Sequence, residues 1–272
     1  MLSTTIDELM TEWDLEPAGD LPLSINWVGR VRRADGSGAV LKLAVPGGGH
    51  LNDEATALEF FDGRGAVRVL ARDRERNALL LDEARPGNQL RDVVPAKDED
   101  ATAALITVMR GLHRPAPDGI ALPELSDRAA KFTACPPRLP RRLVERAGRL
   151  WTQLCASATE RVVLHGDLHH DNVLAAESGW LAIDPHGVVG DPGYEVGAML
   201  YNPFGSLADD TVLDLVPARI EQLADGLGMP AERVAAWGFV QAVLSEIWTL
   251  EDGGVVTGRP LLLAERLLPH LP

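Results

Sequence analysis

A change of periodicity near residue 85 constrains the fold more than any other feature of this chain. Before it, short alternating stretches read as strands around one helix; after it, nearly every segment repeats at helical spacing. Ile25–Val31 and Ala39–Val45 have strand character, and Ala34-Asp35-Gly36-Ser37-Gly38 between them is a hairpin signal. Pro46-Gly47-Gly48-Gly49 ends the second strand. A helix is then expected, with Asn52 as N-cap, Asp53 and Glu54 in its first turn and Gly63 as its stop. Glu54, Leu58 and Phe61 fall on one face of it. Ala66–Leu70 and Ala78–Leu81 read as further strands, and Ala84-Arg85-Pro86-Gly87 breaks the pattern as a crossing between domains would. Helical spacing then covers 100–113, 140–158, 193–201, 210–227, 230–250 and 259–270. Only Val162–Leu164 and Trp180–Ile183 look like strands there, flanking an intervening loop as a hairpin. Strands first and helices after imply an α+β protein with two lobes.

Charge excludes several classes of partner. The 272 residues carry a net charge of −14, which argues against nucleic acid or an anionic membrane surface. Residues 165–272 hold 16 Asp and Glu against 4 Arg and no Lys, a balance of −12, so the preceding part carries only −2. A cationic small ligand and a solvated acidic surface both fit that asymmetry. No run of 18 apolar residues occurs, and the first residues include acids without a basic and then apolar leader. Cys135 and Cys155 have no Cys-x-x-Cys or metal-type partner and read as reduced thiols, hence a cytoplasmic protein.

The loop His165-Gly166-Asp167-Leu168-His169-His170-Asp171-Asn172 carries the chemistry. Asp167 and Asn172 stand five apart, the interval at which kinase-type loops set a catalytic base and a magnesium ligand. Asp184, in an Ile-Asp-Pro step, sits where a second magnesium ligand is expected. Asp171 lacks the interval and is a neighbouring polar residue. A transition-metal cluster of His165, Asp167, His169, His170 and Asp171 is the rival reading, with His165 and His169 four apart. Gly166 and the preceding strand argue against the helix that such a pair needs, and no distant Cys or His cluster adds ligands.

Lys42 is one of three lysines and stands in an apolar alternating strand; Glu54 follows twelve residues on. A snorkelling lysine and a first-turn acid favoured by the helix dipole would explain each alone. Together with the loop they read as a Lys–Glu pair that turns an ammonium toward phosphates. Leu79–Ala84 is an apolar strand with a polar end, able to present backbone groups to an adenine edge. Asp191, Pro192 and Glu195 read as a helix start, and Trp237 as core. The acids Glu246, Glu251 and Asp252 fit either a solvated face or the lining of a pocket for a cation.

With Lys42, Glu54, residues 165–172 and Asp184 in order, the chain resembles the aminoglycoside phosphotransferases, and more narrowly their streptomycin 6-kinase and hydroxyurea phosphotransferase branch. Arg64–Leu70, Leu164–Asn172 and Gly179–Pro185 carry the likeness, which extends from about residue 20 to residue 252. The resemblance implies a protein-kinase-like two-lobed fold, with a small mostly β nucleotide-binding lobe (1–84) and a larger mostly α catalytic lobe (85–272). It implies ATP and Mg²⁺ as cofactors, Asp167 as base, Asn172 and Asp184 as metal ligands, and Lys42 with Glu54 at the phosphates. Asp82 and Ala84 match hinge positions that meet adenine, and Ser24 and Asn26 fall in the loop over the phosphates. Glu195 matches an acid, usually Asp, that supports the catalytic loop. Two departures stand out: Leu23–Gly29 is not G-x-G-x-x-G, and Ile-Asp-Pro replaces Asp-Phe-Gly, which counts against a protein-kinase activity. The implied reaction is transfer of the ATP γ-phosphate to a hydroxyl of a small cationic molecule, first of all streptomycin at its 6-hydroxyl. Hydroxyurea, an amino sugar or another metabolite is the alternative acceptor, and an inactive nucleotide-binding regulator a remote one. A monomer or weak homodimer is expected.

Overall fold

A computed structural model describes residues 2–21, 26–45, 51–135, 138–205, 208–256 and 258–271. Helix α1 (Leu2–Glu12) precedes strands β1 (Leu15–Asp20), β2 (Trp27–Arg33) and β3 (Gly38–Leu43). Helix α2 (Leu51–Phe61) and strands β4 (Val69–Asp73) and β5 (Ala78–Asp82) follow. The five strands form one antiparallel sheet in the order β1-β2-β3-β5-β4. The β2–β3 turn is built as its residues demand: Asp35 Oδ1 accepts from Ser37 N at 2.9 Å and Gly36 adopts φ +81°.

Alternation along β3 sorts its side chains between two cores. Ala39, Leu41 and Leu43 face one way, into a small core with Leu9 of α1, Leu15, Val31, Ala78 and Leu80. Lys42, between them, faces the other way, on the side where Leu79 and Leu81 of β5 pack with Leu58 and Phe61 of α2. The ammonium is therefore turned toward α2 by strand period alone.

The remaining elements are β6 (Pro86–Gln89), α3 (Asp98–Leu112), α4 (Ala130–Thr133), α5 (Arg141–Ala156), β7 (Val162–Leu164), β8 (Val173–Ala176), β9 (Gly179–Ala182), β10 (Val188–Gly190), α6 (Val196–Met199), α7 (Asp209–Leu227), α8 (Ala231–Glu251) and α9 (Arg259–Leu267). Their centre is an aromatic cluster: Trp151, Tyr194 and Trp237 meet edge to face, with ring centroids 5.7–5.9 Å apart. Trp237 is thus core, as its sequence context implies.

Several boundaries differ from the sequence reading. The stretch 162–164 does not form a hairpin with 180–183: β7 pairs antiparallel with β10, and β9 pairs with β8. The loop 165–172 is consequently held between two small sheets. The strand expected at Ala66–Leu70 begins only at Val69, because Ala66 and Val67 are drawn to β9, with Val67 N donating to Ala182 O at 3.0 Å. Asn52 lies inside α2 rather than capping it, and its side-chain oxygen accepts from Arg72. Pro86 opens a strand that pairs with β8 instead of a bare crossing. The segment 193–201 is a 3-10 turn (Pro192–Glu195) leading into the single turn of α6. Among the described residues, no helix is long and apolar enough to cross a membrane.

Candidate active site

Lys42 Nζ lies 2.7 Å from Glu54 Oε2 and 2.9 Å from Asp184 Oδ1. Lys42 and Glu54 are only 4% and 5% exposed, whereas the Asp184 side chain is 43% exposed and opens to the cleft. Burial lifts the Glu54 carboxyl above the usual range against the pull of Lys42, and nearby Asp184 adds to the rise. Burial also works against the ammonium, but two carboxylates outweigh it and hold the Lys42 pKa up. One cation shared by two acids is an arrangement that a further positive charge near Asp184 would relieve.

Glu195 fixes the start of the loop. Its Oε2 accepts from His165 N at 3.0 Å and its Oε1 from Gly166 N at 2.9 Å, with the residue 1% exposed. Burial alone would raise this carboxyl, but His113, His165 and the Gly166 N–H overcome it and keep it low. Gly166 has φ +85°, which lets the chain turn out of β7 immediately before Asp167. Both ring nitrogens of His165 serve the backbone: Nδ1 accepts from Asp167 N at 3.2 Å, so Nε2 carries the proton toward Ile183 O at 2.8 Å. Buried completely, this imidazole stays neutral and supports the loop. That bonding leaves it no lone pair for the rival metal cluster.

The loop and the Asp184 segment are tied together at Ile183, whose N–H donates to Asn172 O at 2.9 Å. Asn172 Nδ2 donates to Asp167 O at 2.9 Å and approaches Asp167 Oδ2 at 3.3 Å. Because the Asp167 carbonyl can only accept, the amide orientation is fixed, and Asn172 Oδ1, an oxygen donor for a metal, takes no hydrogen bond among the described residues. Asp184 has φ +56°, a conformation uncommon outside glycine that Asp tolerates better than most residues. The Asp167 carboxylate is 33% exposed and sees His169 Nε2 at 3.5 Å and His186 Nε2 at 4.0 Å. Burial depresses His169, but Asp167 and then Asp171 prevail and push it up to about 9.

Sequence reasoning missed the clamp beneath the loop. Arg91 Nη1 bonds Asp171 Oδ1 at 2.6 Å, and Gln89 Nε2 donates to Asp171 O at 3.0 Å. Asp171 thereby anchors the loop to β6 and the turn after it, and only the pairing of β6 with β8 could have signalled this. Of the other candidates, Asn26 is buried and Ser24 lies outside the described residues. Asp82 ends β5 and donates its N–H to Arg68 O at 2.9 Å. Ala84, two residues on, makes no backbone hydrogen bond among the described residues. Glu246 is fully buried and accepts from Gly258 N at 3.2 Å. Glu251 pairs with Lys131 at 2.7 Å, and Asp252 is exposed just past α8.

A sheet-borne lysine shared by a buried helix acid and the exposed Asp184, whose strand end is hydrogen-bonded to the loop of Asp167 and Asn172, defines a phosphotransferase of kinase-like fold. The fold agrees: a thermostable mutant of aminoglycoside phosphotransferase APH(4)-Ia, solved in ternary complex with ADP and hygromycin B, superposes with a TM-score of 0.67 at 15% identity, covering 97% of this chain and 96% of that one. Residues 13–253 match the family model described as aminoglycoside/hydroxyurea antibiotic resistance kinase. The chain is 36% identical to hydroxyurea phosphotransferase of Kitasatospora aureofaciens, over 97% of this chain and 78% of that one. It is 32% identical to streptomycin 6-kinase of Streptomyces glaucescens, over 99% and 90% of the two. The chain belongs to the aminoglycoside/hydroxyurea antibiotic resistance kinase family and is a small-molecule phosphotransferase.

Proposed function

We propose that the protein transfers the γ-phosphate of ATP to a hydroxyl of a small molecule, with Asp167 as base. The convergence of Lys42, Glu54 and Asp184 beside the Asp167–Asn172 loop is the observation that carries this reading. The acceptor oxygen bonds the γ-phosphorus as its proton passes to Asp167, the bond to the β–γ bridging oxygen breaks, and ADP leaves. Lys42, oriented by Glu54, holds α- and β-phosphate oxygens. Asn172 Oδ1 and the Asp184 carboxylate are hard oxygen donors of the kind Mg²⁺ takes, and the ion when bound would offset phosphate charge. The backbone of Ala84, with no hydrogen bond among the described residues, and Asp82 beside it suit an adenine edge, and Ser24 and Asn26 would cover the phosphates. The division at 84/85 into a nucleotide lobe and a catalytic lobe belongs to the same reading, as do a cytoplasmic location and a monomer or weak homodimer without nucleic-acid or membrane partners.

Streptomycin, phosphorylated at its 6-hydroxyl, is the first acceptor, supported by the acidic surplus of residues 165–272. All four arginines there are already paired with acids. Glu251 and Asp252, and less directly the buried Glu246, are the residues to meet its guanidinium groups. Hydroxyurea is the second reading, favoured by the 36% identity to a hydroxyurea phosphotransferase. ADP release measured with Mg²⁺-ATP against streptomycin, hydroxyurea and amino sugars tests the proposal. Acceptor-dependent release is expected. An Asp167→Asn variant should lose about 10²–10⁴-fold in kcat and keep its ATP affinity. Release that ignores the acceptor, or equal loss of ATP binding in the variant, would contradict these roles.

A further inference from the structure

We propose that Arg128 binds the acceptor and selects a neutral, oxygen-bearing group rather than a cation at the open flank of the catalytic loop. The inference rests on the phosphotransferase reading and favours its second acceptor. Arg128 lies in the 3-10 turn Leu125–Ala129, outside every element that carries the site described above. Its guanidinium carbon sits 5.4 Å from the ring centre of Tyr194 and 5.3 Å from that of Trp248. Nη1 donates to the Tyr194 hydroxyl at 2.6 Å. Among the described residues no carboxylate forms an ion pair with this arginine, in a chain of net charge −14. Two rings and a phenol thus hold a planar, weakly hydrated cation in place without neutralising it.

The other edge of the fork points to the chemistry. A Cβ added to Gly166 would lie 3.8 Å from Arg128 Nη2 and 3.3 Å from His186 Cβ. The His186 ring reaches within 4.0 Å of Asp167 Oδ2. Arg128, His186 and Asp167 therefore border the same flank of the loop, while Lys42 meets Asp184 on the nucleotide side. A hydroxyl whose proton goes to Asp167 brings its neighbouring atoms toward Arg128. A carbonyl or second hydroxyl there would accept from the Nη2–H groups, which have no partner among the described residues. A guanidinium or ammonium set against those N–H groups would meet like charge, which no carboxylate paired with Arg128 offsets among the described residues. Hydroxyurea, whose hydroxyl-bearing nitrogen is bonded to the carbonyl carbon, presents that acceptor without a cation; a diguanidino acceptor brings two guanidinium groups along with its hydroxyls.

The full-length chain is titrated with hydroxyurea and separately with streptomycin, in the presence of Mg²⁺ and a non-hydrolysable ATP analogue. Tryptophan fluorescence and thermal shift report binding, and steady-state ADP release is measured in parallel with ATP. Arg128→Gln should weaken hydroxyurea binding and raise its KM by about 10–100-fold. The same variant should keep the KM for ATP and bind streptomycin no more weakly than the wild type. Arg128→Lys, which keeps the charge and most of the packing but not the fork, should show the same selective rise to a smaller extent, and decides the matter if the Gln variant does not fold. Equal losses for both compounds, a fall in kcat at constant acceptor KM, or no hydroxyurea binding to the wild type would overturn the assignment. Binding that obeys the predicted selectivity without any ADP release would overturn the transfer reading instead and support the role of Arg128.

Discussion

Glu195→Gln isolates the support beneath the catalytic loop from the chemistry above it. Each carboxylate oxygen accepts one buried backbone N–H, from His165 at 3.0 Å and from Gly166 at 2.9 Å, on a side chain that is 1% exposed. Glutamine keeps one acceptor but turns an NH₂ toward the other N–H. One buried donor then loses its partner, at about 1–3 kcal/mol, and the surviving bond loses its charge, at about 1 kcal/mol more. The sum, roughly 3 kcal/mol, corresponds to a fall in Tm of about 6–12 °C for a chain of this size. Asp167 follows directly on the two residues released, and a displacement of about 1 Å at a reacting group can cost ~10²-fold in rate. The variant should therefore melt lower by calorimetry and lose about 10²-fold in kcat. Its KM for ATP should change little, because Lys42, Glu54 and Asp184 do not touch Glu195. A Gln variant that melts and turns over like the wild type would refute the supporting role. So would one that loses ATP affinity while keeping its Tm.

Gly187 has φ +65°, and a Cβ there would fall 2.6 Å from Asp53 O on α2, next to Glu54. Gly187→Ala should cost about 1–3 kcal/mol and raise the KM for ATP more than that for the acceptor. Gly119→Ala, at φ +73° in open space, should cost only about 1 kcal/mol and leave kinetics unchanged; equal effects on ATP binding would discount the clash. Burial pushes the Cys155 thiol up to about 11, with Asp191 adding and Arg233 opposing. In a Cys135→Ser background, iodoacetamide should modify Cys155 about 10²-fold more slowly at pH 8 than it modifies a free thiol. Since the thiolate reacts, the rate should rise tenfold per pH unit until near 11; a plateau near pH 8.5 would show an ordinary thiol.

Much of the site was legible because its parts are set by short intervals. The five-residue spacing of Asp167 and Asn172 and the alternation around Lys42 are local facts that geometry converts directly into position. Glu54 shares its helix face with Leu58 and Phe61, and all three are buried, as the spacing implies. The pairing of β7 with β10 was not legible, since three-residue apolar runs carry no period and the partner follows a long excursion. Helix α1 escaped notice because its Ser-Thr-Thr start favours caps and turns as readily as helix, and its docking on the far face of the sheet decides the matter. The Arg91–Asp171 clamp and the aromatic seat of Arg128 join residues 66 and more apart in sequence, and single-sequence spacing says nothing about such pairs.

The central claim is that Asn172, Asp184 and Lys42 serve one triphosphate–metal site. Calorimetric titration of a non-hydrolysable ATP analogue, with and without Mg²⁺, into the wild type and Asp184→Asn addresses it directly. Asparagine preserves an oxygen toward Lys42 but removes the charge on the cleft side. Mg²⁺-dependent affinity should fall at least ~10-fold in the variant while metal-free nucleotide binding stays the same. Identical Mg²⁺ dependence in the two proteins would contradict the account.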